Sequence, residues 1–141
     1  MALIRTHRRM AKGMAVVEAA IVLPLIVLLT FCAIEYGWAI LKSQQITNVT
    51  RQAARVAARP DSTNTEVQDL IASLLTAAGI GGYQVTMPAD VGSVLPGETM
   101  TVAIVVPYGN ITATGLANWL DGTPIFPRQL SATVVMAKEG P

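Results

Sequence analysis

The chain is 141 residues long, 52% of them hydrophobic, with ten Lys/Arg, nine Asp/Glu and one Cys. That length holds one membrane segment plus one small domain without room for a deep catalytic cleft, and a lone cysteine excludes an intrachain disulfide. The net charge of +1 hides a split, because Arg5, Arg8, Arg9 and Lys12 make the first 13 residues +4 and leave the rest at −3. No second basic patch and no basic–aromatic interleaving occurs, which argues against nucleic-acid binding.

The basic leader, residues 1–13, ends in Gly13. A long apolar run follows, and Ala19 to Ile34 is free of charge. From Met14 to Leu41 only Glu18 and Glu35 are charged. A helix over residues 14–41 measures about 42 Å, more than the ~30 Å hydrocarbon core, so it spans with tilt or protrudes. The basic flank predicts a cytoplasmic N-terminus and an outward C-terminal part. Pro24 interrupts the run and removes one helical hydrogen bond, to the carbonyl of Ala20, as a plain kink or as a hinge. Cys32 reads as a small apolar membrane residue. The stretch Leu29–Cys32 also has the outline of a lipobox, but Phe31 stands where that signal needs a small side chain.

Two carboxylates stand out. Glu18, one turn after Met14, is costly in lipid, about 2.5–3.5 kcal/mol at a bilayer centre and less near an interface. It is read either as a snorkelling side chain paired with Lys12 or Arg9, or as the partner of a new amine at Met14 created by a cut after Gly13. In an assembly that amine would neutralise Glu18 of the neighbouring subunit and fix the register. Glu35 is read as an interfacial carboxylate reaching water, or as an intersubunit contact to Lys42 or Arg51 of a neighbour. Tyr36, Trp38 and Lys42 complete an expected membrane-interface group.

Gly13-x-x-x-x-Glu18, with a basic flank before it and an apolar helix after it, resembles the prepilin signal of type IV pilins and pseudopilins. The wider block, with Leu23-Pro24 and then Glu35-Tyr36-Gly37, resembles the TadE-like proteins of the tight-adherence (Flp) pilus system. The segment from Ser131 to Glu139 also resembles that family's closing strand. The resemblance implies cleavage between Gly13 and Met14 by a prepilin peptidase, with Met14 then open to N-methylation. Its other implied partners are pilin or pseudopilin subunits and an inner-membrane assembly platform. Its implied location is the cytoplasmic membrane, single-pass, with the outer domain extracytoplasmic. The block from Met14 to Glu18 lacks the Glu-Tyr pair of the major Flp pilin, and the chain is much longer than that pilin, which favours a minor subunit.

Residues 42–60 continue the helix amphipathically: Ile46, Val49, Ala53 and Val56 recur at helical steps, and Arg59-Pro60 closes it. One helix from Met14 to Arg59 is expected. Residues 61–141 form the outer domain. Thr63…Glu66 and Thr65…Gln68 are both capping-box spacings for a second helix. Val67, Leu70, Ile71, Leu74, Leu75 and Ala78 form its apolar face, and Gly79 or Gly81 ends it. Strands are expected around Tyr83–Met87, Thr99–Val106 and Gln129–Lys138, with a short helix or apolar loop over 114–120 carrying Trp119 and a turn at Asp121-Gly122. The fold class is α+β: a long membrane-spanning helix continuing into a small domain with a second helix and a short antiparallel sheet, a pilin-like lollipop. His7 is the only histidine, and no metal cluster, phosphate loop or nucleophile–base pair occurs in the sequence. No enzyme activity, cofactor or metal is expected. Gly13 and Glu18 are then a substrate site for another protein. The competing expectation is an uncleaved signal-anchored envelope protein acting as an interaction module.

Overall fold

The computed structural model describes residues 4–119 and 125–140, with side chains from Gly13 onward except Ala117. The basic side chains of the leader and the Asp121-Gly122 turn lie outside the described residues. Helix α1 runs Ile4–Ala58 without interruption. It therefore begins upstream of Met14, inside the leader, because Ile4–Lys12 contains no Gly or Pro to stop it. Pro24 sits within α1. The helix is one that is long and apolar enough to cross a membrane.

The second half of α1 is what the domain folds against. Its buried positions are Glu35, Ala39, Lys42, Ile46, Val49, Thr50, Ala53, Ala54, Ala57 and Ala58. These steps of three and four residues make one stripe down the helix. The stripe begins earlier than the sequence periodicity suggests: Cys32 is already packed on the core. Its distal part is alanine, which lets the neighbouring elements approach the helix backbone closely. Thr50 is buried without an orphaned hydroxyl because its Oγ1 donates to Ile46 O, 2.8 Å away.

Pro60 ends α1, and α2 (Asn64–Ala77) follows a short turn. Of the two capping-box spacings, the first is used: the Thr63 side chain accepts from Glu66 N. Val67, Ile71 and Leu75 are fully buried against the core, flanked by partly buried Leu74 and Ala78. Gly79 at φ +65° closes the helix. Three strands follow: β1 (Gln84–Thr86), β2 (Thr99–Pro107) and β3 (Gln129–Ala137), antiparallel in the order β1-β2-β3. β2 alternates strictly, burying Met100, Val102, Ile104 and Val106. β2 and β3 pair from Thr99↔Ala137 to Pro107↔Gln129. Their connection is long and contains a 3₁₀ turn (Tyr108–Asn110) and the short helix α3 (Leu116–Trp119). The result is the α+β lollipop expected from the sequence.

Three buried charges fasten the domain to α1. At the distal end Lys138, 4% exposed, donates from Nζ to Ala57 O (3.1 Å), Arg59 O (2.7 Å) and Ser62 Oγ (3.1 Å). It satisfies carbonyls that the helix terminus would leave orphaned and sits at the negative end of the helix dipole. The other two are Glu35 and Lys42.

Candidate functional site

The stretch from Gly13 to Lys42 holds every residue that the sequence marks for function, and the structure divides it in two. In the first part, Met14 to Phe31, all side chains are exposed. Gly13 has open space where a side chain would stand. Glu18 is exposed in this part, and among the described residues the only ion pair is the one between Arg59 and Glu66, elsewhere in the chain. Gly13, Met14 and Glu18 thus lie on one helical segment, with Glu18 about one turn beyond Met14.

In the second part, from Cys32, the chain's own domain takes hold of the helix. Glu35 does not reach water: it is 0% exposed. Its Oε1 accepts from the Tyr108 hydroxyl at 2.9 Å, from the Thr112 hydroxyl and from Ala113 N at 3.3 Å. Its Oε2 accepts from Thr114 N at 3.0 Å and Thr114 Oγ1 at 2.6 Å. The Tyr108 hydroxyl lies 3.1 Å from the Glu35 carbonyl as well. All of these donors come from the segment that leaves β2, so the contact is within one chain rather than to a neighbour's Lys42 or Arg51. The physical reason is that a ring of hydroxyls and two backbone N–H groups can replace the carboxylate's water. Burial, followed by the hydrogen bond to Glu35 and the charge of Glu35, raises the Tyr108 phenol above its ordinary pKa. It therefore remains protonated and available as a donor.

The other residues expected at a membrane interface also turn to the domain. The Tyr36 hydroxyl donates to Ile125 O, and its ring lies 5.5 Å from that of Phe126. Trp38 Nε1 donates to Ile111 O at 2.6 Å. Lys42 is not extended as an anchor: it is 5% exposed and donates to Ala78 O at 2.5 Å, the last turn of α2, while its Nζ lies 4.8 Å from the Trp38 ring. It supplies a cation at the carbonyl end of α2.

Sequence reasoning found Glu35 but missed Tyr108, Thr112, Thr114 and Lys138. The partners are more than seventy residues away from Glu35 in the chain. The available signal was local: two Thr flank Ala113 just after a strand-breaking Pro107-Tyr108-Gly109, a set of donors with no other obvious use.

No curated protein and no solved structure gives a match to this chain. A family model described as TadE-like protein matches residues 13–55, from the glycine before the apolar run almost to the end of α1, and it is the same family that the N-terminal block resembles.

Proposed function

We propose that this protein is a minor pseudopilin-like structural subunit of a Tad/Flp-type pilus or secretion assembly, processed by a prepilin peptidase after Gly13. The observation that carries this reading is the helix from Met14 to Phe31, exposed on all sides, with one carboxylate one turn past Met14, the residue that follows Gly13. An apolar cylinder of this kind needs lipid or other helices around it, and Glu18 needs a cation. Cleavage supplies that cation as the Met14 amine of a neighbouring subunit, so assembly satisfies both needs at once. The TadE-like match over residues 13–55 begins at the glycine of the proposed cut. The scissile bond lies inside α1, so the peptidase must unwind a turn there. Glycine lowers that cost, being about 1 kcal/mol worse than Ala in a helix.

In this reading the protein is no enzyme and holds no cofactor. Its partners are the peptidase, other pilin or pseudopilin subunits and an assembly platform in the cytoplasmic membrane, with the domain extracytoplasmic. The test is the N-terminus of the membrane-extracted protein, by intact mass and terminal sequencing, with and without the peptidase. A chain starting at Met14 only when the peptidase is present supports the reading. An intact leader in both cases refutes it and leaves a signal-anchored interaction module.

A further inference from the structure

The domain has a lipid-proximal end, and its chemistry differs from that of the opposite end. β3 finishes beside the C-terminus of α1, where Lys138 meets Ala57 and Arg59. β3 therefore runs away from the exposed apolar segment, and antiparallel β2 runs back toward it. The described residues of the connection between them, 108–119 and 125–128, lie at the end of the domain nearest that segment. Its level on α1 is set by hydrogen bonds: Ile111 to Trp38, Thr112–Thr114 to Glu35, and Ile125 to Tyr36. Between Ile111 and Thr114 the chain descends from the level of residue 38 to that of residue 35, about 4–5 Å along the helix axis.

That level coincides with the expected edge of the hydrocarbon. Residues 14–34 span about 31 Å as helix, against a core of ~30 Å. The bilayer surface then falls at Glu35, not at Leu41. The connection carries two charged residues, Asp121 and Arg128, in its whole sequence from 108 to 128, and Arg128 stands at its very end, next to β3. It presents Trp119 at 78% exposure and Ile125 at 44%. The far end is charged instead, with Asp61, Asp90, Glu98 and Glu139 in its loops and tail. An exposed tryptophan on a loop of few charges, held at the level where the helix leaves lipid, has the chemistry of an interfacial anchor.

We propose that Trp119 of α3 and Ile125 form a membrane-seating surface, placed in the headgroup–acyl boundary of the same bilayer that α1 crosses. The domain then stands on the membrane at two points, its helix and this loop, and is restrained from swinging about α1. This inference rests on the membrane-spanning part of the proposed function and on nothing about cleavage.

The experiment uses the full chain in phosphatidylcholine–phosphatidylglycerol vesicles with ordinary or brominated acyl chains. Tryptophan emission is compared for the unaltered protein, W119F and W38F. The difference between the unaltered protein and W119F isolates Trp119 without touching Trp38, and W38F checks it directly. A third variant, L25W in a W38F/W119F background, reports whether α1 is inserted. Expected is blue-shifted Trp119 emission, roughly two-fold quenched by brominated chains and shielded from iodide. Quenching of L25W without quenching of Trp119 overturns the seating surface and leaves the membrane helix standing. Quenching of neither overturns both. Shielding of Trp119 that grows with protein-to-lipid ratio, without quenching by brominated chains, assigns the surface to a second copy and overturns the lipid reading.

Discussion

Glu35→Gln is the sharpest test of how the domain is joined to its helix. The substitution keeps size and one acceptor oxygen. It puts an NH₂ group where one carboxylate oxygen stands. If that is Oε2, it faces Thr114 N at 3.0 Å and Thr114 Oγ1 at 2.6 Å. The hydroxyl can rotate to accept, but the backbone N–H cannot and is left without an acceptor, a cost of about 1–3 kcal/mol. The remaining bonds, from Tyr108, Thr112 and Ala113, lose their charge assistance, and charge-assisted bonds are about twice as strong as neutral ones. Relief of carboxylate desolvation offsets part of the loss. Flipping the amide only transfers the conflict to Tyr108, Thr112 and Ala113. The expected net destabilisation is about 2–3 kcal/mol, which raises the population of the undocked loop by roughly thirty-fold or more. Hydrogen exchange of the full chain in detergent micelles reads this directly. The amides of residues 111–116 should lose protection, while β2 and α2 lose less. Unchanged exchange over 111–116 would refute the view that the carboxylate holds this segment.

Three further outcomes follow from the same geometry. Lys138→Met keeps the aliphatic stem but removes three donated hydrogen bonds at the end of α1; it should lower stability by about 2 kcal/mol, seen as a lower urea midpoint, and an unchanged midpoint would remove the cap from the account. Gly82 and Gly79 share φ +65°, and a side chain at Gly82 would meet only the amide end of Asn110, an exposed side chain that can swing aside, while one at Gly79 meets nothing within 4 Å; both alanine variants should cost about 1–2 kcal/mol for the left-handed conformation in thermal unfolding, and a much larger loss at Gly82 alone would show that Asn110 is held in place. Glu66→Gln breaks the exposed pair with Arg59 and should change stability by no more than about 1 kcal/mol, so a large loss would show that this pair is more than a surface contact.

Much of this architecture is local and can be read residue by residue. The apolar run after Gly13, the Thr63 cap of α2, the alternation along β2 and the stop at Pro60 each depend on neighbours within a few positions. Such features carry their physics in the spacing alone. The Gly13…Glu18 pattern is of the same kind, since one turn of helix is enough to relate the two.

Glu35 shows where that reading ends. An acidic residue near the end of an apolar helix has one default, water, because a carboxylate without donors is too costly to bury. Whether donors exist depends on the segment after β2 being folded back onto α1, which no periodicity near Glu35 records. The same holds for Lys42, whose acceptor is the last turn of α2, and for Lys138, whose acceptors are the last carbonyls of α1. The sequence by itself determined that a long helix with a basic flank, one early carboxylate and a small α+β domain would form, because propensity, capping and hydrophobic periodicity act over short distances. Only the tertiary structure decided where the helix passes from exposed to covered, at Cys32 and Glu35 rather than Leu41, because that boundary is made by hydrogen bonds between residues far apart in the chain.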